Sequence, residues 1–148
     1  MTPLNQPAGL DAIVAVHLDA FPEFFMTQLG PRFLHEYYRH VLEHPRGILL
    51  TENGESECIG FVAGFVDPAA FYRELRRGRV RLGLAACASL MMRPRRLFTL
   101  VANYRRAGDA ALQSPDERTA ELSSLAVGPR GRGRGVGSRL VRDRKSVM

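Results

Sequence analysis

Apolar residues recur at helical spacing from Leu10 to Phe21 (Leu10, Ile13, Val14, Leu18, Phe21), with Asp11 and Asp19 opposite, which predicts a first amphipathic helix. Pro22 interrupts it and Phe24-Phe25-Met26 follow. Gly30-Pro31 then opens a second helix whose Phe33, Leu34, Tyr37, Tyr38, Val41 and Leu42 form one stripe, ended by Pro45-Arg46-Gly47. His17 falls on the apolar face of the first helix and reads as a core or pocket-wall histidine rather than a ligand.

The period then changes. Ile48 to Thr51 and Glu57 to Val66 read as two strands joined around Asn53-Gly54, an antiparallel hairpin. Gly60 and Gly64 inside the second strand suggest a bulge, a close approach by another backbone, or thin packing under a helix. Asp67-Pro68 caps a further helix to about Arg77, and residues 82–92 and 95–106 read as helical, divided by Pro94. Together with a polar loop over 109–118 they make a helical insertion of about 67–118, whose arginine-flanked apolar face could pack on the body, line an acceptor pocket or lie on a membrane surface. Ala120 to Val127 reads as a strand in which the alternation slips between Leu122 and Leu125, as a β-bulge would make it.

The chain has 148 residues, 45% of them hydrophobic and 24% charged, enough for one domain of 1–148 with a buried core and against wholesale disorder. Its longest apolar run, Leu82 to Met92, is too short to cross a bilayer, so no membrane span is expected. The N-terminal residues carry no secretory pattern, and a cytoplasmic location is the expectation. Cys58 and Cys87 belong to no Cys/His cluster and read as buried thiols, and no metal site is expected. The net charge of +6 is unevenly spread. Residues 72–106 hold ten arginines against one acid, Glu74, and residues 128–148 hold six arginines and Lys145 against Asp143, which leaves an acidic body. Basic segments of this kind attract phosphates, nucleic acid or acidic surfaces, or simply mark a solvated face.

The second basic segment carries the chemistry. Val127-Gly128-Pro129-Arg130-Gly131-Arg132-Gly133-Arg134-Gly135-Val136-Gly137-Ser138 is a strand end, a glycine-rich turn and a helix start, with Val136, Leu140 and Val141 as the helix's apolar face. Glycines allow several backbone N–H groups to converge, and a helix N-terminus adds positive partial charge, so the turn suits an anion such as pyrophosphate. The chain contains no Gly-Lys pair, which excludes the Walker A loop, and G-x-G-x-x-G fails in every register. What fits is R-x-x-G-x-G, as Arg132, Gly135 and Gly137.

In this the sequence resembles the GNAT superfamily of acetyl-CoA-dependent N-acetyltransferases, whose motif L-x-V-x-P-x-x-R-G-x-G-x-G-x-x-L is matched by Leu125, Val127, Pro129, Arg132, Gly133, Gly135, Gly137 and Leu140. The order of two helices, a hairpin and the motif strand is also that of the family. The resemblance implies an α/β acyl-CoA N-acyltransferase fold, a mixed sheet with flanking helices, here with the helical insertion between hairpin and motif strand. It further implies that the edge Leu125-Ala126-Val127 pairs with the pantetheine arm, that amides from Arg132 through Gly133, Arg134, Gly135, Val136 and Gly137 to Ser138 hold the pyrophosphate, and that acetyl-CoA is the acyl donor. Glu121 is the candidate base, with a surface-facing strand glutamate as the alternative, and a backbone N–H near Ala126 or Val127 is the oxyanion donor. The acceptor is expected to be a primary amine of an anionic small molecule such as an amino sugar nucleotide, with Phe24 and Phe25 as substrate-binding residues, since a lysine-rich tail would meet like charge.

Family members continue past the motif helix with a further strand, a helix that usually supplies a tyrosine acid, and a closing hairpin, whereas this sequence ends at Met148. A C-terminally incomplete domain, or a site completed by a swapped homodimer, is therefore expected. The first strand is expected to be short or absent. Two other classes remain open: a non-catalytic CoA-binding remnant, and an Arg-rich nucleic-acid-binding module, the less favoured because such segments need neither a preceding strand nor a following apolar stripe.

Overall fold

The computed structural model describes residues 2–3, 9–54, 57–77, 83–84 and 120–147. Four strands form one sheet in the order β1 (Thr2–Pro3), β2 (Gly47–Asn53), β3 (Cys58–Val66), β4 (Ala120–Val127). Each is antiparallel to its neighbour, so no parallel pairing that would make the sheet mixed lies among the described strands. The helices are α1 (Leu10–Ala20), α2 (Phe25–Gln28), α3 (Pro31–Glu43), α4 (Pro68–Arg77) and α5 (Val136–Val147). The first strand is indeed short, two residues paired with Thr51 and Leu50.

The period of two along the strands divides the core into two layers. Leu49, Phe61, Ala63, Phe65 and Ala126 turn to one face, where they pack with Leu10, Ile13 and Val14 of α1, Leu34, Tyr37, Tyr38 and Val41 of α3, and Phe71 of α4. Ile48, Leu50 and Val62 turn to the other and pack with Val136 and Leu140 of α5. The result is a three-layer α/β/α sandwich with the sheet in the middle.

Local chemistry sets the boundaries. Gly30, at φ 91°, turns the chain into α3, with Pro31 in its first position. Asp67 caps α4 as expected: its Oδ1 accepts the Ala70 amide at 3.0 Å, and its own φ of 61° is one that a short polar side chain tolerates. Beyond α4, only 83–84 of the expected insertion helices is described, and Leu84 is exposed. The segments 95–106 and 109–118, and Cys87, lie outside the described residues. Cys58 is half-buried rather than buried; its Sγ contacts the Gly60 carbonyl at 3.3 Å, and burial pushes the thiol up.

The two strand glycines have different causes. A Cβ on Gly60 would lie 2.9 Å from Val136 Cγ1 and 3.2 Å from Leu140 Cδ1, so the glycine lets α5 press onto the sheet. A Cβ on Gly64 would lie 2.6 Å from the Glu121 carbonyl oxygen, a close approach by backbone. That approach occurs where the β3–β4 register shifts: Ala63 pairs with Ser124 and Gly64 with Leu122, leaving Ser123 as the extra residue. The bulge foreseen from the slipped alternation is present at this residue.

Candidate functional site

The turn after β4 is built so that side chains would obstruct it. Gly128 donates its amide to the Ile59 carbonyl at 2.9 Å, which ties the strand end to β3. Pro129–Gly131 then form one 3₁₀ turn, in which Gly131 is buried, 2.7 Å from the Ile59 carbonyl by its missing Cβ. Gly133 and Gly135 follow at φ 73° and 69°, the left-handed region that glycine enters without steric cost. The first bond of α5 in this turn runs from the Arg139 amide to the Gly135 carbonyl at 3.1 Å. The amides of Val136, Gly137 and Ser138 therefore point out of the helix end with no helical acceptor.

The arrangement narrows the run of amides expected from the sequence. Arg132 and Arg134 donate theirs within the turn, to the Pro129 and Gly131 carbonyls, both at 3.3 Å. Their side chains are exposed and flank the opening. Val136 is buried against the sheet and offers only its backbone, Gly137 lies beside Val127, and Ser138 is exposed. Three free amides at a helix N-terminus, with two left-handed glycines before them and exposed arginines beside them, fit a phosphate-bearing group.

Leu125 and Val127 pack toward α5 while Ala126 is buried on the opposite face, so the motif strand presents alternating faces and, among the described strands, an unpaired outer edge. At the other end of β4, three hydroxyls from the helices meet three polar residues in nearly consecutive positions. Tyr72 donates to Glu121 Oε1 at 2.8 Å, the Tyr37 and Ser123 hydroxyls share a hydrogen bond, and Ser124 lies close enough to the Tyr38 phenol to lower it against the upward push of burial. The bulge explains how Ser123 and Ser124 can both face α3. Tyr38 also meets His17 Nδ1 at 2.6 Å, and burial lowers the imidazole to about 4, so His17 is the core histidine expected. Burial pushes the Tyr37 phenol up to about 12.

Glu121 is thus half-buried among phenols, not a free surface glutamate. Five or six residues at ~3.3 Å each, less the one absorbed by the bulge, put the Ala126 and Val127 amides roughly 13–17 Å along β4 from the Glu121 backbone, a span for the carboxylate side chain and a bridging water to cover.

Phe24 is half-exposed and stacks at tilted angles on Phe21 and His17, 5.7 and 6.2 Å between ring centres, while Phe25 is half-buried. Phe24 meets His17, which links it to β4 through Tyr38 and through Phe61, the strand partner of Ala126. A cavity of about 330 Å³ lies beside the turn, between α1 and Cys58, Ile59 and Pro129, but neither Glu121 nor Gly133 to Gly137 lines it. The sequence offered no sign of Tyr72, Ser123 or Arg139 as site residues; Tyr72 is 49 positions from the carboxylate it meets. Among the described residues no group of three or more His, Cys, Asp or Glu side chains could hold a metal, and no helix is long and apolar enough to cross a membrane.

The family model of the acetyltransferase (GNAT) family matches residues 10–145, which is nearly the whole chain. The chain belongs to that family, and its α/β architecture, an antiparallel sheet with flanking helices, is that of the acyl-CoA N-acyltransferase fold. No curated protein matches it.

Proposed function

We propose that this acetyltransferase-family chain moves an acetyl group from acetyl-CoA to a primary amine. The observation that carries the reading is the turn at Gly133 and Gly135, which leaves the Val136, Gly137 and Ser138 amides free at a helix end directly after an unpaired strand edge. These amides, with Arg132 and Arg134, would hold the pyrophosphate, and the Leu125-Ala126-Val127 edge would pair with the pantetheine arm.

Acetyl-CoA supplies an activated thioester. Glu121 takes the amine proton, directly or through water, so that the nitrogen lone pair can form the new C–N bond while the C–S bond breaks and the sulfur leaves as thiolate. A backbone N–H near Ala126 or Val127 donates to the oxygen on which negative charge develops. No covalent link to the protein is required. For the acceptor, the arginine-rich segment 72–106 and the half-exposed Phe24 beside Phe25 favour an anionic small molecule such as an amino sugar nucleotide over a basic peptide. A cytoplasmic enzyme, acting alone or as a homodimer and without nucleic acid, is the setting this reading implies.

Calorimetric titration of acetyl-CoA into the chain and into Gly135→Asp tests the cofactor site. The substitution places a side chain and a negative charge on a left-handed residue at the proposed pyrophosphate, and binding should be lost. Binding that survives it, or no binding by the folded unaltered chain, rejects the reading. Acetylation of basic peptides with none of anionic amines would reject the acceptor class.

A further inference from the structure

We propose that Tyr72 of α4 is a positioning residue for Glu121, holding its carboxylate in the orientation that accepts the amine proton; this rests on the acetyl-transfer reading above. The contact is direct, Tyr72 Oη donating to Glu121 Oε1 at 2.8 Å. It is also anchored at both ends. Phe71, the neighbour of Tyr72, is fully buried and stacks on Phe65 with ring centres 3.8 Å apart, and Phe65 is the strand partner of Glu121. Tyr72 itself packs edge-on against Phe65 at 5.5 Å. The phenol therefore reaches the carboxylate from a helix fixed to the adjacent strand, and neither group is a free rotor.

The surroundings define what the hydrogen bond does. Among the described residues, the titratable groups facing Glu121 are Tyr72 from α4 and Tyr37 from α3, and β3 sets Phe65 opposite. No cation among them stabilises the charge. Burial raises Tyr72, and Tyr37 and Glu121 raise it further, so its proton stays on the phenol and is available to the carboxylate. A neutral donor against an ionised acceptor is the stronger kind of hydrogen bond. It leaves the second carboxylate oxygen to face the amine.

The contact is tested first without turnover. In protein carrying ¹³Cζ-labelled tyrosine, the Tyr72 resonance, assigned by its absence from Tyr72→Phe, should move as acid protonates its acceptor and should not do so in Glu121→Gln. In the kinetic arm, Tyr72→Phe should lower kcat/KM about tenfold, the scale of one hydrogen bond to a charged group. It should displace the acidic limb of the pH profile to higher pH, leave the KM for acetyl-CoA unchanged, and add nothing in the Glu121→Gln background. A purely structural tyrosine would lower the melting temperature and leave the limb in place. A Tyr72 resonance indifferent to Glu121, an unmoved limb, or an equal loss in both backgrounds overturns the proposal. Failure of the unaltered chain to bind acetyl-CoA is read in the separate titration and removes the reaction that Tyr72 would serve.

Discussion

The Arg139 side chain joins Glu52 to the glycine turn. Its Nε and Nη2 donate to Glu52 Oε1 at 3.0 and 2.9 Å, and its Nη1 donates to the Arg134 carbonyl at 2.7 Å. One guanidinium thus ties the end of β2 to the middle of the turn, while its own backbone amide closes the first bond of α5. An arginine whose guanidinium is spent on shaping the turn does a different task from Arg132 and Arg134, whose exposed side chains flank the opening.

Arg139→Ala should therefore weaken acetyl-CoA binding more than it weakens the fold. The pair with Glu52 is half-exposed and contributes at most ~1 kcal/mol to stability. Without the guanidinium the turn loses the restraint on Arg134, and affinity should fall about fivefold, the equivalent of ~1 kcal/mol. Calorimetry and thermal melting on the same preparation separate the two effects; a large fall in melting temperature with unchanged affinity would refute the assignment.

Gly131 and Gly133 differ in what surrounds them, and alanine should reveal it. At Gly131 a Cβ would meet the Ile59 carbonyl at 2.7 Å and Val127 Cγ1 at 2.8 Å, and a strand carbonyl cannot move aside. A loss of about 3 kcal/mol is expected there, the upper end for overpacking. At Gly133 nothing lies within 4 Å, so alanine meets only the strain of φ 73°, roughly 1–2 kcal/mol. Urea unfolding of both variants measures the difference, and equal losses would show that the turn relaxes around Gly131.

The elements were legible where a local signal sufficed. Helical spacing around Leu10 and Tyr37, the Asp67-Pro68 cap and the slipped alternation before Leu125 each correspond to a structure formed within one segment. The glycine motif was legible for the same reason: its turn, its left-handed residues and its helix start are consecutive. What escaped the sequence is contact between segments. Nothing near Tyr72 says that its hydroxyl ends at Glu121, and nothing in Tyr37-Tyr38 says that the pair meets two adjacent serines. Those meetings depend on a strand register shifted by one residue, which the sequence signalled, and on the seating of α3 and α4, which it did not. Gly60 and Gly64 show the same limit: close approach was readable, but not that a helix presses on one and a bulged backbone on the other.

His17 gives the protein a pH-dependent stability whose sign can be worked out. It is fully buried, its Nδ1 meets Tyr38, and its Nε2 has no hydrogen-bond partner among the described residues. A second N–H and a positive charge would have nowhere to go, which is why burial lowers the folded histidine from 6.5 to about 4. The unfolded chain takes up that proton near 6.5, so between these values it binds more protons than the folded one. Stability contributed by the neutral ring is present above pH 6.5 and is lost as the pH falls towards 4. At 1.36 kcal/mol per unit the loss is about 3 kcal/mol. His17→Gln keeps a polar group near Tyr38 but does not titrate, so the stability difference between the unaltered chain and this variant should shrink, or change sign, by that amount between pH 7 and pH 4. His40, which burial also lowers, is present in both and cancels. Urea unfolding at the two pH values decides it: a difference that stays constant would mean that His17 is as readily protonated in the folded protein as in the unfolded chain, and that the His17–Tyr38–Ser124 chain opens to water in solution.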